Sequence, residues 1–331
     1  MLKFIVKRLL MLIPIVLGIS FIVLLLLEIT PGDPARMLLG TQATPERIAL
    51  VRTQLGLDEP LLVRYVNFLW DILHGDFGTS FLTKSSVFSE MMMRLPYTLL
   101  LTGVSLGVSV AIGIPLGVFA ATNHNTWKDN GAMFIALFFV SMPVFWFALL
   151  LVRFFGVELQ WLPLSGVDTW QSWILPIIAT SLGFIATIAR QTRSNMLEVV
   201  RQDYIVTAKA KGLPNQKVIY RHALKNAMIP VIMVIGNLFG LLIGGALITE
   251  VIFGIPGLGQ YTIAGLTGRD YPVIQGSVFI ISVMFSIVIL IVDIVFAIVD
   301  PRIRSQVSSS GNKNKKKRKV GTPIEKEPQQ I

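Results

Sequence analysis

The sequence predicts an all-α polytopic membrane protein of six transmembrane helices, and three observations carry that reading. Hydrophobic residues make up 53% of the 331-residue chain and charged residues only 15%, where soluble domains carry about a quarter charged. Six apolar runs are each long enough, at ~1.5 Å per residue, to cross a hydrocarbon layer of about 30 Å. The Lys and Arg between those runs are unevenly divided: 21 of 29 fall on the side that holds both termini, against seven opposite. Six spans return the chain to its starting side, and the basic excess makes that side the cytoplasm.

Composition also excludes some functions. The formal net charge of +10 suggests nucleic acid at first sight, but nine of the 29 Lys and Arg follow Asp300, in a tail containing SSSGNKNKKKRKV. With almost no apolar residues, that tail (301–331) is expected to be a disordered cytoplasmic extension touching the anionic lipid bilayer, with no nucleic-acid partner. The chain has no cysteine, which excludes disulfides, Cys-ligated zinc and thiol catalysis.

Lys3, Lys7 and Arg8 precede the first span, residues 9–29, which is too long for a signal peptide and is closed by no small-residue cleavage site. It stops at Thr30-Pro31-Gly32-Asp33-Pro34, where two prolines and a glycine end the helix. Residues 35–94 read as a helical lobe outside the membrane, with helices over 45–56, 60–74 and 87–94 and a Gly75-Asp76-Phe77-Gly78 turn. Together with the first span they form a unit, 1–94, ahead of a core at 95–300. The second span (95–121) carries Gly103/Gly107 and Gly113/Gly117 at a spacing that lets helices approach closely. The third covers 131–156. A loop, 157–172, places Trp161 and Trp170 at a membrane boundary. The fourth covers 173–190, and the fifth, 229–253, has Gly236, Gly240 and Gly244 every four residues. A glycine-rich loop, 254–272, leads to the sixth span, 273–299.

Between the fourth and fifth spans lies a polar island, 194–230. Leu197, Val200, Tyr204 and Ala208 recur at helical spacing until Gly212 and Pro214 interrupt, so two short helices meet at a glycine. On the second, Lys217, Arg221 and Lys225 share one face. The result is a firm, charged knob through which a soluble partner can move the membrane helices.

Enzymatic and metal motifs are absent. There is no G-x-x-x-x-G-K-[ST], H-E-x-x-H, G-x-S-x-G or acidic calcium loop, so no catalytic, cofactor-binding or metal-ligating set is assigned. His74, His124 and His222 fall in three different segments. Ionisable groups at membrane depth suggest function, and the candidates are Arg153, Glu250 and Asp293. Glu250 adjoins the glycine-rich loop and reads as a gate or a contact with an external partner. Asp293 reads as structural pairing or as part of a substrate path.

The run Tyr204-Ile205-Val206-Thr207-Ala208-Lys209-Ala210-Lys211-Gly212 is followed by Arg221-His222-Ala223-Leu224-Lys225-Asn226-Ala227 and Ile229-Pro230. It resembles the cytoplasmic signature of the permease subunits of type I ABC importers, within the branch of dipeptide, oligopeptide, glutathione and nickel permeases. Pro31-Gly32-Asp33-Pro34, Gly75-Asp76-Phe77-Gly78, Pro256-Gly257-Leu258-Gly259 and Arg269-Asp270-Tyr271-Pro272 belong to the same resemblance, which covers residues 1–304. Two departures are visible: Val206 stands where the signature has Glu, and 212–230 is longer than the general signature, as suits the peptide branch.

The resemblance implies a multi-pass protein of the bacterial cytoplasmic membrane, a permease without an ATPase site of its own. It implies ATP-Mg bound by two separate ATPase subunits, a second homologous permease, an extracytoplasmic solute-binding protein and a di- or oligopeptide substrate. A coupling hairpin maps to 208–223, with Tyr204, Thr207, Ala208, Lys211, Gly212, Arg221 and His222 at the ATPase contact. Gly240, Gly244, Glu250 and Asp293 are candidates for the pathway or gate. Competing readings are a nickel or metal-chelate importer of the same architecture, an ion-driven secondary transporter, and a receptor or scaffold.

Overall fold

The computed structural model describes residues 2–30, 32–40 and 43–299, so the basic tail lies outside the described residues. The first and last spans form one antiparallel pair. Helix α1 (Leu2–Ile29) is set by an apolar run that continues through Pro14, and α13 (Tyr271–Val299) is equally apolar. At one end the Tyr271 hydroxyl donates to the Leu27 carbonyl at 2.9 Å; at the other Arg8 meets Asp293 at 3.1 Å.

The lobe begins where Asp33 caps α2 (Pro34–Leu39), its carboxylate accepting the Ala35 N–H at 2.9 Å. Helix α3 (Pro45–Gln54) follows, and its Arg52 bridges Asp33 and Asp58 at 3.0 and 2.9 Å. Those hydrogen bonds, Asp33 first, raise the Arg52 pKa above its ordinary value. Helix α4 (Leu61–Leu73) lies against α1, where the Tyr65 hydroxyl donates to the Leu17 carbonyl at 2.7 Å and Arg64 meets Glu28 at 2.6 Å.

The lobe segment 87–94 and the second span, expected as two helices, are one: α5 (Val87–Thr122). Pro96 lacks one N–H yet does not end it, because Val87, Met91, Thr98 and Leu101 continue a single buried stripe across the proline. Helix α8 (Ile174–Val200) packs on α5 along most of its length. A Cβ at Gly113 would fall 2.9 Å from the Ile185 carbonyl oxygen, and one at Gly117 2.5 Å from that of Ala189. Bare backbone there is what brings the helices together. Gly103 and Gly107, expected to do the same, have open space at their Cβ positions.

The third span is broken. Helix α6 (Trp127–Ser141) and helix α7 (Val144–Leu151), which a π-helical turn extends to Glu158, meet at 97°. Met142 adopts the extended conformation that a following proline favours, so Pro143 sets the break. Among the described residues five helices are long and apolar enough to cross a membrane, and this bent pair and a second one beginning at Ala246 raise the number to as many as seven if each is one span.

The hairpin and the glycine-rich loop also differ from expectation. Helix α8 runs on to Val200 and contains the start of the polar island; only α9 (Asp203–Ala210) is separate. After a turn the chain re-enters helix at α10 (Asn215–Lys217), passes through π-helical turns (Val218–Ala223) and continues without a break as α11 (Leu224–Phe253). The glycine-rich segment is helical over α12 (Leu258–Gly268), folded back at 82° from the end of α11.

Candidate coupling hairpin and pathway face

At the hairpin, α8 ends at Val200 and the chain reverses, with the Gln202 carbonyl accepting the first α9 bond from the Ile205 N–H at 2.9 Å. Helix α9 closes when the Lys211 N–H donates to the Thr207 carbonyl at 3.0 Å and Gly212 takes φ +75. Nothing lies within 4 Å of a Cβ placed at Gly212. Glycine is required there by the left-handed backbone alone, not by crowding.

A continuous apolar cluster fixes the hairpin to the bundle. Ile205 and Ala208 of α9, Val218 and Ala223 of the π-helical turns, and Ala227 of α11 pack with Val118 of α5 and Met196 of α8. The Asn226 side-chain amide donates to the Tyr204 hydroxyl at 2.8 Å, a second tie from α11 to α9. At the same end of the bundle, Arg193 of α8 grips the fully buried Asp129 of α6 through two hydrogen bonds of 2.5 and 2.7 Å. His124 and the Asn125 N–H complete that carboxylate's shell at 3.3 and 3.1 Å. Helix α9 is therefore packed against α5, α8 and α11 together.

The predicted coupling residues divide by exposure. Lys211, Gly212 and Arg221 are exposed around the turn, His222 is half-buried, and the exposed Tyr204 presents its ring while its hydroxyl is held. The Thr207 hydroxyl turns back to the Asp203 carbonyl at 2.9 Å. Ala208 is corrected: it is buried in the hairpin's own core and positions α9 without facing a partner. Tyr220, which the sequence reading passed over, is more exposed than Tyr204 and Val206 of the same segment; an aromatic ring amid Lys217 and Arg221 was its signal.

The pathway candidates are rearranged more. Gly240 is buried, with a built Cβ 2.4 Å from the Phe285 ring, and Gly236 similarly abuts Val292 at 2.2 Å. Both serve the contact between α11 and α13, so Gly240 leaves the pathway list. Gly244 faces open space and stays on it. It belongs to an exposed row on α11 with Met233, Asn237, Leu241 and Ile248, at helical spacing. Asn237 and Leu241 were not singled out from sequence, because facing outward is a property of the packed bundle.

Glu250 is not a lining residue. It is fully buried, accepting the Thr98 hydroxyl at 2.6 Å and the Gln260 N–H at 3.0 Å, while the Leu258 N–H donates to Thr98 at 2.9 Å. A Cβ at Gly257 would lie 2.3 Å from its carboxyl carbon. Glu250 and Thr98 thus cap the N-terminus of α12 and bind it to α5 and α11, where the helix dipole favours a carboxylate. Asp293 is engaged by Arg8 at the contact of α1 with α13, which is the structural pairing reading. Arg153 pairs with Glu158 at 2.9 Å on the surface, its side chain 70% exposed.

A bundle of apolar helices with one charged hairpin packed against three of them defines a polytopic helical membrane protein. The chain belongs to the binding-protein-dependent transport system inner membrane components: that family matches residues 113–305, and its N-terminal companion matches residues 1–102. It is accordingly an ABC importer permease of the inner membrane, a transport subunit working with ATPase and substrate-binding partners. Among curated proteins it is 42% identical over 304 residues to the glutathione transport system permease protein GsiC of Salmonella typhimurium, covering 92% of this chain and 99% of that one. The Escherichia coli protein of the same name is 41% identical over the same length, with the same coverage of each chain. Among solved structures, an inward-facing MetNI methionine ABC transporter is similar with a TM-score of 0.55 and 17% identity, covering 64% of this chain and 96% of that one.

Proposed function

We propose that this chain forms half of the translocation pathway of an ATP-driven importer of small peptides, with glutathione and peptides of its size the first candidates. The observation that carries the substrate class is the 42% identity over 304 residues to a permease named for glutathione transport. In this reading a second, homologous permease covers the exposed row of α11, and the pathway runs between the two. Two ATPase subunits dock at the hairpins, and a solute-binding protein delivers substrate on the lobe side.

The geometry supports the coupling role. Closure of the ATPases pushes on α9 and the 211–214 turn, and the packed base of the hairpin turns that push into a rigid-body movement of α5, α8 and α11. The test is uptake by cells with and without this chain, offered labelled glutathione, a labelled dipeptide and labelled nickel in parallel. Selective loss of glutathione or dipeptide uptake is expected. Loss of nickel uptake alone would move the importer to a metal substrate.

A further inference from the structure

Helix α4 carries two faces that answer to different surroundings. Leu62, Val66, Trp70 and Leu73 form one stripe and are 67, 63, 65 and 79% exposed. On another edge Arg64, Asn67 and Asp71 line a cavity of mixed character, with Glu59, Asp76 and Gln275 among its polar lining. An apolar stripe of this length, with a tryptophan in it, is costly in water and ordinary at a bilayer.

The depth of α4 is fixed by its contacts. Tyr65 bonds the Leu17 carbonyl and lies 3.0 Å from the Ser20 hydroxyl, with its ring 5.1 Å from that of Phe21. Leu17 lies twelve residues inside the outer end of the candidate span Ile5–Ile29, about 18 Å along the helix axis. Phe68 meets Phe279 of α13, eight residues inside that span, at 6.2 Å. Beneath α4, between α1 and α13, runs a groove of about 360 Å³ lined by residues such as Leu9, Ile13, Leu69, Leu73 and Ile287, with Ser286 its one polar lining residue. On the same two spans Leu10, Ile22 and Leu26 of α1 and Ile291 of α13 are exposed as well.

We infer that α4 is embedded in the bilayer, and that its Leu62–Val66–Trp70–Leu73 stripe and the groove beneath it are a binding surface for phospholipid acyl chains. The lobe is then not wholly outside the membrane. Its polar edge meets water while its apolar edge anchors it in lipid, continuous with the lipid face of α1 and α13.

Because the chain has no cysteine, single cysteines can report this directly. Leu62→Cys, Val66→Cys and Trp70→Cys, with Asn67→Cys as the polar-edge reference, are each spin-labelled in the assembled importer in phosphatidylcholine bilayers. Label collisions with oxygen and with a water-soluble nickel chelate are then measured. At 62, 66 and 70 the chelate is expected to collide at least several-fold less than at 67, and oxygen more. Equal access of the chelate at all four positions overturns the proposal. Protection that develops only when the solute-binding protein is added also overturns it and assigns the stripe to that protein. As a second variant, Val66→Asp should lower the yield of folded permease in the membrane while Asn67→Asp does not; equal yields count against the lipid site. None of these readouts depends on the transported substrate.

Discussion

Single residues decide the geometry at both ends of the bundle. Gly212 holds φ +75 with open space around it, so Gly212→Val meets only backbone strain, about 1–2 kcal/mol. The variant is expected to insert and assemble normally while ATP-driven uptake falls several-fold, with Gly212→Asn closer to the parent because Asn tolerates that conformation; uptake and ATPase rates in proteoliposomes check it. Glu250 was legible as an unusual carboxylate near a span end, but its partners Thr98 and Gln260 are 152 and 10 residues away in the chain, and nothing in the local pattern pairs them. Removing it in Glu250→Ala strands buried donors at about 1–3 kcal/mol each. Glu250→Gln keeps an acceptor, so thermal unfolding in detergent should drop clearly for the alanine variant and little for the glutamine one.

At the scale of elements, the apolar runs foretold the helices and the prolines and glycines their ends, with instructive exceptions. Pro143 breaks the third span and Pro96 does not break α5, although both are prolines in apolar runs. What differs is the packing available across the break: α5 has a continuous buried stripe to hold it straight. The segment 254–272 reads as loop by its glycines, yet α12 forms because Glu250 caps it and Gly257 leaves room for the carboxyl group. The glycine stripe of α11 gives a sharp contrast. Gly240→Leu must displace Phe285, an overpacking cost of about 1–3 kcal/mol, and should reduce the folded permease recovered by size exclusion. Gly244→Trp and Asn237→Trp project from the uncovered face; they should leave folding intact and block uptake or assembly with the second permease.

For the whole molecule, the ion pair of Arg193 with Asp129 ties α8 to α6. Asp129 is fully buried and Arg193 a quarter exposed, so removing one partner, as in Arg193→Leu, leaves a charge without its match at about 2–3 kcal/mol after allowing for solvent. Asp129→Leu combined with Arg193→Met should recover much of that loss in a thermal unfolding series. If the pair merely decorated the surface, single and double variants would unfold alike. By itself the sequence determined the membrane class, the helical content, the uneven distribution of charge and the turn at Gly212. Each of these follows from local composition and from spacing within one helix. Which residues face outward on α11, which carboxylate caps which helix, where the third span bends and how deep α4 lies against α1 were decided only by the tertiary structure. They depend on partners far away in the chain, and no local pattern encodes the direction in which a helix in an apolar bundle will turn.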